Sequence, residues 1–286
     1  MKRTLGIAAA CVLLIGSDAA WRTDAIAQAE PIRRLSVRAG SATIRLTIVG
    51  RGEAIICIPS RGRGIEDFRE LAGRLARAGY QVILPQPRGI GGSTGPLESI
   101  TYHDLAADVA ATIKSVVNGP VVVVGHDFGN RIARTLAADH PELVKRLILL
   151  SAGGMVPRAA AIESLTTRLW ETPLSREDRM AVVRQTFFAP GNNPDVWKGG
   201  WHFDVARAQR AADARTPLRE WWAGGSAPIL VLQGRDDVIA VPENARRLAA
   251  EFPKRVTVIE IPQAGHALLP EQPEQIANAI LAYLRR

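Results

Sequence analysis

Residues 121–130 read VVVVGHDFGN. Four successive valines show no polar alternation, so a strand made of them is buried on both faces, as in a parallel sheet covered by helices. The valines run into Gly125-His126-Asp127-Phe128-Gly129, and RIARTLAADH continues at 131–140 with the spacing of a helix. Glycines two places before and two places after Asp127 permit a turn too tight for a Cβ, which thrusts the middle residue into the open in a strained conformation. An aspartate that opens a helix is also a common N-cap. The flanking glycines favour the exposed, reactive reading over the cap.

Working outward, the segments alternate. LSVRA and TIRLTIV, within 35–49, have the pattern of an antiparallel pair. IICIP at 55–59 is an apolar strand, and Phe68, Leu71, Leu75 and Ala78 recur at helical spacing over 66–78, ended by Gly79. QVILP at 81–85, RLILL at 146–150, PILVLQG at 228–234 and VTVIEI at 256–261 are expected to be further buried strands. TYHDLAADVAATIKSVV and the closing EQIANAILAYL are amphipathic helices. Strand and helix in alternation predict a mainly parallel, doubly wound α/β sheet. Between Leu150 and Pro228 the alternation stops. Residues 155–225 hold five of the six tryptophans and have the character of a helical cap inserted into a core of residues 30–154 and 226–286.

Parallel α/β sheets place their chemistry at the carboxyl ends of strands. Beyond the Asp127 turn, two such ends carry polar residues: Gly234-Arg235-Asp236-Asp237 and Gly265-His266. Acid and histidine after neighbouring strands can meet, and the carboxylate then fixes the imidazole tautomer. Each alone is ordinary loop chemistry; in the order nucleophile, acid, histidine they are specific.

In VVGHDFGNRIARTLAADHPELVKRLILLS, PILVLQGRDDVIAVPENARRLA, IPQAGHALLPEQPEQIANAILAYL and PQPRGIGGSTGP, the chain resembles an α/β-hydrolase-fold enzyme over nearly all of its length after the first 30 residues. The resemblance implies Asp127 as nucleophile, Asp237 rather than Asp236 as the acid, and His266 as the base. It implies an oxyanion hole from the backbone N–H of Phe128 and a second N–H from the loop after the early strand. There the family usually has a His-Gly pair; IPSRGRGIEDF puts Pro59 and Ser60 at the pair and Arg61 at the donor position.

A carboxylate nucleophile would form an anhydride from an ester, so it suits displacement at an sp3 carbon, giving an aspartyl ester that water, activated by His266, then hydrolyses. That is the chemistry of dehalogenases and epoxide hydrolases in this superfamily. Epoxide opening needs an acid, supplied there by cap tyrosines, and none of Tyr80, Tyr102 and Tyr283 lies in the expected cap. Halide departure needs N–H donors and positive edges, for which Trp201 and His202 are candidates among cap residues that mostly pack. His103 and His140 are expected to be structural and His126 to support the site by hydrogen bonding. An esterase or C–C hydrolase lineage with an atypical aspartate, and a non-catalytic ligand-binding homologue, remain alternatives.

Lys2 and Arg3, the apolar run LGIAAACVLLIG at 5–16, and small-residue cleavage patterns at 25–29 have the layout of a secretory signal peptide over 1–29, implying a periplasmic or secreted protein. Removal would leave Cys57 as the only cysteine. The formal charge of +8 comes from arginines scattered along helices, the pattern of a solvated basic surface. No nucleic-acid motif, metal-ligand spacing or dinucleotide fingerprint is present, so the expected partner is a small-molecule substrate without cofactor, and no later run is long enough to span a membrane.

Overall fold

The computed structural model describes residues 31–286; the proposed signal segment at 1–29 lies outside them. The chain runs β1 (Ile32–Ala39), β2 (Ala42–Gly50), β3 (Glu53–Ile58), α1 (Arg69–Arg77), β4 (Tyr80–Pro85), α2 (Tyr102–Val116), β5 (Val121–His126), α3 (Phe128–Asp139) and β6 (Val144–Leu150). Then come α4 (Ala160–Glu171), α5 (Arg176–Phe187), α6 (Phe203–Arg215) and α7 (Leu218–Trp221), followed by β7 (Ile229–Gly234), α8 (Glu243–Glu251), β8 (Val256–Ile261), α9 (Leu268–Glu271) and α10 (Pro273–Leu284).

The strands form one eight-stranded sheet in the order β1-β2-β4-β3-β5-β6-β7-β8. β1 and β2 are antiparallel, β2 meets β4 antiparallel, and all pairs from β4 to β8 are parallel. This is the doubly wound architecture that the alternation predicts. The reason is visible in β5, where Val121 to Val124 are all fully buried. Val121 and Val123 point into the layer of α2 and α3, whereas Val122 and Val124 point into the layer of α1 and α10. Burying each such side chain stabilises the fold by about 1.5–3 kcal/mol. From β3 the chain winds to β4 on one side and to β5 on the other, so a crevice opens at their carboxyl ends.

Two expectations need correction. VTVIEI is not buried throughout: β8 is an edge strand with Val256 and Ile261 inside and Ile259 exposed, because helices cover the rim only partly. The single helix expected from 66 to 78 is a 3-10 turn at Ile65–Phe68 followed by α1.

Between β6 and β7, α4, α5 and part of α6 gather around Leu169, Trp170, Val183, Phe187 and Trp197, a cluster separate from both layers of the sheet. Trp221 and Trp222, at the end of this segment, pack instead with the α2 and α3 layer. Among the described residues no helix is long and apolar enough to cross a membrane.

Candidate active site

The turn after β5 decides what Asp127 is. Its backbone sits at φ 49° and ψ −112°, and its side chain makes no capping bond to α3. The N-cap reading is therefore excluded. A positive φ on a non-glycine residue is strained and persists only where the surroundings impose it. The surroundings here are close-packed backbone. A Cβ on Gly125 would lie 2.4 Å from the Gly129 carbonyl oxygen, and one on Gly129 would lie 2.1 Å from that of Ile58. Both glycines are required because α3 leaves the sheet directly against β3.

The carboxylate of Asp127 keeps 16 % of its surface open, and its two oxygens have different neighbours. Oδ2 accepts from the Ser60 hydroxyl at 2.8 Å and from the Arg61 backbone N–H at 3.2 Å. Oδ1 faces Nε2 of His266 at 3.3 Å, a charge contact without the alignment of a hydrogen bond. Nδ1 of His266 faces both oxygens of Asp237 at 3.1 and 3.0 Å. β7 and β8 are neighbours, which is what brings Asp237 and His266 together. Asp237 is fixed in turn: Oδ1 accepts from the N–H groups of Ile239 and Ala240, and Oδ2 from the Gln233 amide. Asp236 is exposed and does not join the site. His126 donates to the carbonyl of His266 at 2.9 Å, and Ser151 donates to the same oxygen, so the loop carrying the imidazole is held from behind.

Burial works against a charge on His266. The Asp237 and then the Asp127 carboxylates outweigh it, and the imidazole is pushed up to about 10. Burial likewise opposes a charge on Asp127, yet the His266 imidazolium, and after it Arg61 and Arg131, hold its carboxyl well below the usual range. The resting site is thus a carboxylate–imidazolium–carboxylate row.

A cavity of about 450 Å³ opens above this row, with Asp127 and His266 in its floor. Arg61, Arg131, Arg158 and Arg210 line it together with Asp213 and Glu163. Asp213 on α6 accepts from the Arg61 guanidinium at 2.8 and 3.0 Å and from the Tyr102 hydroxyl at 2.6 Å, and lies 3.3 Å from Arg131. These four guanidinium groups were expected on a solvated surface. The fold instead turns them inward, and the side chains of Arg63, Arg88 and Arg134 are buried as well.

Other sequence expectations divide. The Phe128 ring is buried against Tyr102 and beneath the Arg61 guanidinium, so it stabilises the loop carrying the N–H donor and offers no polar group to a leaving group. Trp201 and His202 do not line the cavity. The Trp201 indole N–H donates to the Trp197 carbonyl, and His202 borders a separate hollow beside Gly64. They lie just ahead of α6, outside any helix, and nothing in GGWHFD reports which way that stretch faces. His103 bridges Asp139 and Glu220, a structural position. Cys57 is buried and free, its thiol pushed up by desolvation. Ser60, Gln233, Arg131, Arg158 and Arg210 were not foreseen as site residues. Only the place of Ser60 beside Arg61 pointed that way. Among the described residues, no group of three or more His, Cys, Asp or Glu side chains is arranged to hold a metal.

Comparison with known proteins agrees with this fold. BpoC of Mycobacterium tuberculosis is 29 % identical over 82 % of this chain and 94 % of its own length. The 2-hydroxy-6-oxo-6-(2'-aminophenyl)hexa-2,4-dienoic acid hydrolase of Metapseudomonas resinovorans is 26 % identical over 87 % of this chain and 90 % of its own. A thermophilic esterase from Thermogutta terrifontis superposes with a TM-score of 0.74 at 22 % identity, covering 88 % of this chain and 98 % of the esterase, a likeness of fold. The sequence matches the alpha/beta hydrolase family across residues 55–279. With that match and an eight-stranded sheet of the expected winding, the chain belongs to the alpha/beta hydrolase family.

Proposed function

We propose that this hydrolase cleaves a small organic substrate through a covalent ester on Asp127, with a halide-like leaving group on an sp3 carbon. The observation that carries the reading is the split environment of the Asp127 carboxylate. Oδ2 is occupied by the Ser60 hydroxyl and the Arg61 N–H, which leaves Oδ1 as the attacking atom. In the first step Oδ1 bonds to carbon and the leaving group departs with the bonding electrons. Alkylation removes the charge on Asp127, one of the two that keep His266 protonated. The imidazole then loses its proton more easily, and as the neutral base it takes a proton from water. Hydroxide adds to Cγ, negative charge grows on Oδ2 under the Arg61 N–H, and collapse expels the alcohol, which takes the proton back from His266.

The cavity favours a leaving group that departs as an anion, or a substrate that already is one. Four arginines and the imidazolium outnumber Asp127, Asp213 and Glu163 along its wall. Epoxide opening has weaker support. No tyrosine is among the residues lining the cavity, and the Tyr102 hydroxyl, pushed up to about 12 by burial, is committed to Asp213. The relatives named as an esterase and as a C–C hydrolase favour acyl-type or C–C cleavage instead, and the carboxylate at position 127 counts against both. Export, and a cap of residues 155–225 over the core, belong to the same proposal; the N-terminal mass of protein recovered from the growth medium or periplasm tests the former.

The deciding experiment uses His266→Ala with a panel of alkyl halides, halo-acids and epoxides, read by intact mass and peptide mapping. An adduct on Asp127, and oxygen-18 entering Asp127 during wild-type turnover, are the expected results. Turnover of p-nitrophenyl esters with no adduct would replace the reading with acyl transfer. An inert wild type with no adduct would leave a ligand-binding protein.

A further inference from the structure

The N–H donor of Arg61 has few anchors of its own. Within the segment Ser60–Gly64, the Arg63 N–H closes a turn on the Ser60 carbonyl at 3.1 Å. In the core, the Arg63 guanidinium is paired with the Asp67 carboxylate and the Ser60 hydroxyl donates to Asp127. The remaining anchors come from the segment inserted between β6 and β7. The Gly62 N–H donates to Oε1 of Gln209 at 2.8 Å, and the Gly62 carbonyl accepts from the His202 N–H at 2.9 Å. The Arg61 guanidinium grips Asp213. Arg63 donates to the Gly199 carbonyl at 2.7 Å and lies 4.5 and 4.6 Å from the ring centres of Trp197 and Trp201. Gly62 sits at φ +61°, and a Cβ there would lie 2.7 Å from that of Ala206. α6 therefore packs directly on the loop, and Gln209, 4 % exposed, is the side chain from that helix that holds its backbone.

We propose that Gln209 is a positioning residue for the oxyanion site, fixing the peptide on the far side of Arg61 so that the Arg61 N–H stays aimed at Oδ2 of Asp127. This rests on the covalent reading for its kinetic consequence. The loop lacks the His-Gly pair usual in the family, and α6 adds from above an anchor on the Gly62 N–H to the core contacts of Ser60 and Arg63. Oδ2 sheds its share of charge when the ester forms and gains a full charge when hydroxide adds, so the larger effect belongs to the second step. The amide oxygen touches no reacting atom.

The test compares Gln209→Leu, which keeps the bulk and removes the acceptor, with Gln209→Glu, which restores an acceptor. With an alkyl halide that the wild type turns over, rapid-quench mass spectrometry follows formation and loss of the Asp127 ester. In Gln209→Leu, ester hydrolysis slows by about 10²-fold or more while ester formation changes far less, so adduct accumulates; Gln209→Glu recovers most of the rate. Hydrolysis at the wild-type rate, or equal loss of both steps without recovery by Glu, overturns the assignment. Hydrogen exchange over residues 60–64 gives a readout that needs no substrate. Protection lost in the Leu variant and regained in the Glu variant supports the anchoring, and unchanged protection overturns it. A wild type that never forms an ester refutes the proposed chemistry alone, and the exchange result then decides the role of Gln209.

Discussion

Oδ1 of Asp127 stands 3.3 Å from Nε2 of His266, and the imidazole meets a second carboxylate, that of Asp237, at 3.0 Å on its other nitrogen. One buried ring between two acids retains its proton through neutral pH, and changing either acid changes what the ring does.

In Asp237→Asn the amide can donate to Nδ1 and so favour the tautomer with its proton on Nε2, which cannot accept one from water. Ester hydrolysis is expected to fall by about 10²–10⁴-fold, with apparent KM falling as the ester accumulates. Steady-state kinetics with adduct detection checks this; an unchanged kcat would remove Asp237 from the row.

A histidine whose folded pKa is raised adds stability that is fully present below its unfolded value of 6.5 and is lost as pH climbs toward about 10. Wild-type Tm should therefore decline across that window. In Asp127→Asn one of the two raising charges is gone, the His266 titration followed by NMR moves partway toward the ordinary histidine range, and the decline becomes shallower. Coincident titrations in the two proteins would contradict the coupling.

Arg134 is a buried cation with no ion-pair partner among the described residues. It donates to the Asn130 side chain, to the Gly153 carbonyl and, at 3.4 Å, to the Trp222 carbonyl, and it stacks on Trp221 and Trp222. Burial pulls its guanidinium down to about 9. Arg134→Met leaves those acceptors without their donor and should lower unfolding free energy by about 2–4 kcal/mol in urea titrations. Arg134→Lys should recover only part, since an ammonium cannot span the same acceptors. A loss below about 0.5 kcal/mol would show that the network is not structural.

Gly129→Ala places a methyl 2.1 Å from the Ile58 carbonyl oxygen and 2.6 Å from that of Pro59. Both are backbone atoms that cannot swing aside. A stability loss of about 1–3 kcal/mol is expected, together with reduced turnover because the displaced segment leads straight to Ser60 and Arg61. Calorimetry and kinetics on one preparation test both.

The sheet was legible because strands such as VVVVG and PILVL lack polar residues, a pattern that buried parallel strands force. Asp127, Asp237 and His266 were legible because each follows the end of a strand and lies within three residues of a glycine. The cavity wall was not. Arg131 and Arg210 stand at helical positions that read equally well as a solvated face, and only the three-dimensional packing turns them inward. Ser60 and Gln209 were hidden for another reason. They are 149 positions apart, and no local spacing reports that a loop after β3 meets a helix inserted before β7.

That separation has a consequence for how the protein is made. Asp127 and Ser60 emerge in the first half of the chain, whereas Gln209, Asp213, Asp237 and His266 come late. Contacts across such spans form slowly. During synthesis Asp127 therefore waits, without α6 above it or the imidazole beside it, until almost the last residues arrive.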